Sequence, residues 1–103
     1  MESEKVLSML SLCRRAGKLS YGFDSVKTSV LQGEGKLCLL ACDASEKTAK
    51  EAAYYCQRAG VPLRHTGLSR RDIASKLHRE YAVLCVCDDG FASGLQKLLA
   101  CDQ

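Results

Sequence analysis

Seven cysteines carry the most versatile side-chain chemistry in this 103-residue sequence: Cys13, Cys38, Cys42, Cys56, Cys85, Cys87 and Cys101. Thiolates ligate zinc, attack electrophiles and form disulfides. The pattern here favours none of these. The number is odd and no pair is spaced Cys-x-x-Cys. A zinc site wants clustered ligands with His among them, and His65 and His78 have no paired Cys nearby in the sequence. Cys38, Cys42, Cys85 and Cys87 fall in apolar runs, so the cysteines read as reduced thiols packed in a core. That places the chain in the reducing cytosol. Cys85 and Cys87 share one face of their run, which suits either packing against a helix or a redox pair. Asp88-Asp89 follows the same run, where carboxylates hold metals in many α/β enzymes. A helix cap explains them equally well, and the sequence identifies no partner acid, Lys or His. Gly33-Glu34-Gly35 has the wrong element order for a dinucleotide site and reads as a helix stop. No nucleophile–base pair can be named, so no enzymatic activity is expected.

The remaining chemistry is electrostatic. Fifteen Lys and Arg against twelve Asp and Glu leave a formal charge of +3. This mild excess permits an anionic partner without requiring one. Its distribution says more. Arg14, Arg15 and Lys18 flank the end of a first helical segment, and Lys27 lies on a second. Arg70, Arg71, Lys76, His78 and Arg79 bracket a fourth, diluted by Asp72 and Glu80. Glu2, Glu4, Asp88, Asp89 and Asp102 lie elsewhere. Such separation either attracts phosphates through counterion release or only keeps a surface solvated. No aromatic-rich motif for stacking bases is visible.

Elements of two periodicities position these groups. Residues 4–16 place Val6, Met9, Leu10 and Cys13 on one helical face, with Leu7 and Leu12 widening it. Ser3 is the expected cap and Gly17 the stop. Residues 18–21 are extended, and Gly22 turns the chain into a helix over about 23–32. Residues 37–42 and 81–87 are continuous apolar runs, the signature of strands covered on both faces. Between them lie a helix over 46–59 with a stripe of Ala49, Ala52, Ala53, Cys56 and Ala59, and a short strand over 61–65. Pro62 puts that strand near an edge. A helix follows, opened by a Ser69–Asp72 capping box and running to about Lys76. A last helix, capped by Asp88 or Asp89, carries Phe91, Leu95, Leu98 and Leu99. The order α-β-α-β-α-β-α-β-α predicts one α/β domain over 1–103, a sheet between helical layers. No apolar stretch approaches the roughly 20 residues needed to cross a membrane, and the polar start is unlike a targeting segment.

Several segments together resemble a known family: Leu12-Cys13-Arg14-Arg15-Ala16-Gly17-Lys18-Leu19, Gly22 opening a helix, Leu39-Leu40-Ala41-Cys42-Asp43-Ala44-Ser45, Gly60-Val61-Pro62-Leu63, and Val86-Cys87-Asp88-Asp89-Gly90-Phe91-Ala92. They are similar to the L-seven-Ae ribosomal-protein family of kink-turn RNA-binding proteins, and within it to a bacterial YlxQ-like subgroup. The resemblance spans about the whole chain. It implies a three-layer α-β-α sandwich with a four-stranded mixed sheet, and RNA binding without catalysis. In that family RNA is gripped at the start of the second helix by a Gly-x-Asn-Glu-x-x-Lys pattern that reads sheared G·A pairs. The loop between the fourth helix and the last strand covers a flipped-out nucleotide.

Gly22 matches the family Gly. Asp24 stands in place of Asn, Ser25 in place of Glu and Thr28 in place of Lys. Lys27 lies next to Thr28 but points about 100° away on a helix. Asp24 lacks the amide donor, and its charge opposes phosphate. The resemblance implies an RNA site lined by Gly22, Asp24, Ser25, Lys27 and Thr28, with phosphate contacts from Arg14, Arg15 and Lys18 and a facing loop carrying His78 and Arg79. The expected partner is structured, kink-turn-like or ribosomal RNA, with protein partners in translation or transcription beside it. No cofactor, metal or membrane is expected, and the expected location is cytoplasmic. The substituted positions 24, 25 and 28 motivate an alternative, a protein–protein interaction module on the same fold with an eroded RNA site.

Overall fold

The computed structural model describes residues 3–100. Its elements are α1 (Ser3–Arg15), β1 (Leu19–Tyr21), α2 (Phe23–Leu31), β2 (Leu37–Leu40), α3 (Glu46–Ala59), β3 (Leu63–His65), α4 (Arg70–Leu77), β4 (Val83–Val86) and α5 (Asp89–Ala100). Strands alternate with helices as the periodicities predict. The sheet is mixed, in the order β1-β4-β2-β3. β4 runs antiparallel to both β1 and β2, and β2 runs parallel to β3.

All four residues of β2 and of β4 are buried. Successive side chains alternate between two cores, because side chains along a strand alternate faces. Leu37, Leu39, Leu84 and Val86 join Val6, Leu10, Cys13, Ile73, Leu77 and Leu95 beneath α1, α4 and α5. Cys38, Leu40, Val83 and Cys85 join Val26, Val30, Ala52 and Cys56 beneath α2 and α3. This is the three-layer sandwich. Each fully buried Leu contributes about 1.5–3 kcal/mol of apolar burial, so the central strands anchor both layers.

The element ends differ from expectation for local reasons. Ser3 is itself helical, so it is not the cap preceding α1. Leu7 is buried in α1 while Leu12 is half exposed. Ala41 and Cys42 leave the ladder: Ala41 donates to the Ala82 carbonyl, and Cys42 to the Leu68 carbonyl at 2.7 Å. Cys42 is therefore exposed rather than a core thiol. Val61 and Pro62 precede β3, although the Pro62 carbonyl accepts from Cys38. Tyr81, Ala82 and Cys87 lie outside β4. On α3, Ala53 and Ala59 are exposed, and the inner stripe is Ala49, Ala52, Tyr55 and Cys56. The Ser69–Asp72 capping box is present, with both reciprocal hydrogen bonds made.

Four cysteines lie in the cores as expected: Cys13, Cys38, Cys56 and Cys85. Burial pushes the Cys13 thiol up to about 11 and the Cys85 thiol up to about 12. Its hydrogen bond with the Cys56 thiol, with burial, also pushes Cys38 upward. The Cys13, Cys38 and Cys85 thiols stay protonated at neutral pH, and neutral thiols are poor nucleophiles. Cys101 and Asp102 lie outside the described residues, as does Glu2.

Candidate nucleic-acid interface

The short strand β1 delivers the chain to Gly22, which has φ 87° and ψ 149°. That region is essentially closed to residues bearing a Cβ. A Cβ there would meet nothing within 4 Å, so the requirement for Gly is one of backbone conformation alone. The Gly22 N–H donates to the Val83 carbonyl at 3.2 Å, hooking the start of α2 onto the start of β4. The first α2 hydrogen bond runs from Val26 N–H to the Gly22 carbonyl. The N–H groups of Phe23, Asp24 and Ser25 thus precede any intrahelical acceptor.

Neighbouring helices treat the same problem differently. Ser45 accepts from Thr48 N–H at the start of α3, Ser69 from Asp72 N–H at α4, and Asp88 from Phe91 N–H at α5. This resolves Asp88 as the α5 cap. At α2 the capping position is a Gly and no side chain caps the helix. Uncapped N–H donors at the positive end of the helix dipole form an anion site.

A loop borders this helix start. α4 ends at His78, which has φ 67° and is the one non-glycine residue of positive φ among the described residues. Its N–H donates to the Ala74 carbonyl at 2.8 Å. His78 occupies the left-handed cap position usually left to Gly, at a cost of order 1 kcal/mol. Residues 78–82 then return to Val83, the partner of Gly22. Tyr81 packs on Tyr21 with ring centroids 4.9 Å apart, fixing the loop against β1.

The structure therefore ties Gly22, at the start of α2, to Val83, where the loop that carries His78 and Arg79 ends; Asp24 and Ser25 follow in the first turn of α2. Thr28 lies one turn further along the same helix, while Lys27 leans toward α3 and Lys18 sits at the far end of β1. The Thr28 hydroxyl turns back to donate to the Asp24 carbonyl at 3.0 Å. The Lys27 ammonium lies 4.9 Å from the centroid of the Tyr55 ring, toward α3. Lys18 sits at the opposite end of β1, where its carbonyl accepts from Cys87 N–H at 2.8 Å. Four residue steps of extended chain, about 13 Å, lead from Lys18 to Gly22. Arg15 lines a shallow cavity of about 230 Å³ with Ser8, Ser11, Leu12 and Lys76. Arg14, Arg15 and Lys18 are all exposed.

Sequence reasoning missed the aromatics. Tyr21 and Tyr81 meet only because β1 and β4 pair antiparallel. Phe23, Tyr54 and Tyr55 come together from two helices. Their signal in sequence was weak, because each lies apart from its partners or in a lone pair. Among the described residues no helix is long and apolar enough to cross a membrane, and no group of three or more His, Cys, Asp or Glu could hold a metal ion.

Residues 4–94 match the ribosomal protein L7Ae/L30e/S12e/Gadd45 family. The chain belongs to this family. Among its relatives, the RNA-binding protein YlxQ of Bacillus subtilis (strain 168) is 36% identical over 92 residues, covering 88% of this chain and 91% of that protein. The large ribosomal subunit protein eL30 of Lupinus luteus is 28% identical over 102 residues, covering 97% and 90%. A solved structure of a protein of unknown function from Bacillus halodurans C superposes with a TM-score of 0.86 at 31% identity, over 93% of this chain and 97% of that one. The Giardia lamblia 15.5kD RNA binding protein superposes with a TM-score of 0.77 at 14% identity, over 97% and 87%, and shares the fold. Gly22 and the loop over 78–82 lie inside the family match.

Proposed function

We propose that this chain is a non-catalytic cytoplasmic protein that binds structured RNA of the kink-turn or ribosomal kind. One observation carries the reading: α2 presents an uncapped N-terminus, locked to β4 through Gly22, beside a loop built on a left-handed His78. The relative named as an RNA-binding protein, alike over most of both chains, supports it.

In this reading the backbone N–H groups of Phe23, Asp24 and Ser25 meet an RNA phosphate or base edge. The Ser25 hydroxyl adds a donor. Asp24 is exposed and negative, so its carboxylate suits an amino or imino hydrogen of a base and not a phosphate. His78 and Arg79 face the nucleotide across the loop. Lys27 and Thr28 shape the helix flank. Arg14, Arg15 and Lys18, displaced along β1, contact phosphates farther along the same RNA.

Fluorescence anisotropy with a labelled kink-turn hairpin, a plain duplex of equal charge and a ribosomal RNA fragment tests this across salt. The hairpin is expected to bind more tightly than the duplex. The triple variant R14A/R15A/K18A is expected to reduce the salt slope by about 2–3, close to one per lost phosphate contact. Absence of salt-sensitive binding to all three RNAs at low salt would overturn the proposal.

A further inference from the structure

Three rings link the start of α2 to the outer surface of α3. Phe23, the residue after Gly22, lies 6.2 Å from Tyr55 between ring centroids, tilted by 56°. Tyr55 meets Tyr54 edge-on at 5.2 Å and 79°. The chain of rings opens outward: Phe23 and Tyr55 are partly buried against the α2–α3 core, while Tyr54 is 54% exposed. Two cations accompany it. Lys27 lies over the Tyr55 ring. The Arg58 guanidinium lies 5.5 Å from the Tyr54 centroid and donates to the Tyr54 hydroxyl at 3.1 Å.

Packing does not account for Tyr54. The buried residues of α3 are Ala52 and Cys56. Tyr54 and Arg58 stand four residues apart on the opposite side, where side chains one turn apart are neighbours. Their mutual hydrogen bond orders an exposed aromatic and a guanidinium together. Arg58 holds a planar cation against a ring with much of its surface still open. Glu46 and Glu51 on α3 are outnumbered there by Lys47, Lys50 and Arg58. Planar surface next to cations, without hydrogen-bonding groups that select a base, is how single-stranded nucleic acid is held.

We infer that Tyr54 and Arg58, backed by Tyr55 and Lys27, form a stacking platform for unpaired nucleotides that continue past the α2 site. This extends the RNA-binding reading above and rests on it. A base stacks on Tyr54, and its neighbouring phosphates meet Arg58 and Lys27. The occupant is single-stranded RNA, because rings partnered by cations match a flexible anionic chain of flat bases. Continuity from Phe23 sets its path.

The test compares a kink-turn hairpin, the same hairpin with a short unpaired oligouridine extension, and free oligouridine. The wild-type chain and the Tyr54→Leu, Tyr54→Phe and Arg58→Gln variants are each measured. In wild type the extension is expected to tighten binding by about 5- to 150-fold, the range for one base–aromatic stack. Tyr54→Leu is expected to abolish that gain and leave affinity for the bare hairpin unchanged. Tyr54→Phe, which keeps the ring, is expected to retain most of it. Arg58→Gln is expected to lower the salt slope of the extended hairpin by about 0.7. Thermal melts of all variants report folding, which an exposed position perturbs little. No gain from the extension in wild type, or an equal gain in Tyr54→Leu, would overturn the platform. Failure of the bare hairpin to bind overturns the functional reading instead. Free oligouridine then decides the platform on its own: binding lost in Tyr54→Leu supports it, and binding unchanged refutes it.

Discussion

The two faces of the central sheet are filled by different kinds of side chain. Beneath α1, α4 and α5 the core is mostly leucine: Leu7, Leu10, Leu37, Leu39, Leu68, Leu77, Leu84 and Leu95. Beneath α2 and α3 it is small: Val26, Val30, Cys38, Ala52, Cys56, Val83 and Cys85, with Leu40 alone among the buried leucines. Large branched side chains bury the most apolar area, so the first face supplies more of the stability. Small side chains let a helix approach its sheet closely. A Cβ on Gly35, in the turn after α2, would stand 2.7 Å from the Cys85 Sγ. That closeness holds the C-terminal end of α2 against β4, while Gly22 holds its start there through Val83. One face holds the fold, and the other aims a helix.

The sharpest way to break this contrast uses neighbours on β2 that point in opposite directions. Leu39→Ala on the leucine face is expected to cost about 2–5 kcal/mol. Cys38→Ala on the small face is expected to cost about 1 kcal/mol, near the value of one buried methylene. Urea denaturation with a common m-value measures both, and equal costs would erase the distinction.

Gly22→Ala ranks next. Its Cβ has space, so the cost is conformational strain alone, about 1–3 kcal/mol. Relief of that strain turns the α2 N-terminus. Affinity for the hairpin is therefore expected to fall further than for any Leu-to-Ala variant on the opposite face, assayed where all remain folded. Parallel loss of affinity in both sets would show that α2 is not aimed independently.

The smallest expected effect lies at the seam between the two faces. Asp43, between β2 and α3, accepts the Arg70 N–H at 2.9 Å and pairs with the Arg70 guanidinium at 3.5 Å. The Arg70 N–H, with the guanidinium beside it, holds the Asp43 carboxyl below the usual carboxylate range. A depressed value favours the folded state above the unfolded carboxyl's titration, near pH 4, and that contribution is lost as pH falls through the lower folded value. Asp43→Asn is expected to lower the melting temperature slightly at neutral pH and leave it nearly unchanged below the folded carboxyl's titration, which flattens the acid limb. An acid limb identical to wild type would refute this link.

Much of the architecture was readable from residue pattern. The runs at 37–42 and 81–87 marked the two buried strands because nothing but double coverage tolerates unbroken apolar sequence. Gly17 and Gly60 marked helix ends, and both adopt positive φ. Strand ends were overread because Ala41 and Cys42 find backbone partners outside the ladder, at Ala82 and Leu68. Periodicity could not choose Leu7 over Leu12, since both adjoin the same helical stripe. The candidate site was half readable. Gly22 and the 78–82 loop needed only local sequence and a familiar motif. Lys18 is close to Gly22 in the sequence, but an extended strand carries four residue steps much farther than a helix does. Tyr21 with Tyr81, and Phe23 with Tyr55, depend on pairings that no local window contains.

The outer strands have a consequence for company rather than for folding. β1 and β3 are three residues each. Pro62 precedes β3 and offers no N–H, and the exposed Arg64 and His65 follow it. Both edges are short, and the β3 edge is also charged and proline-guarded, which denies a second chain a template on which to extend the sheet. Copies of the chain held close together would therefore keep their sheets separate.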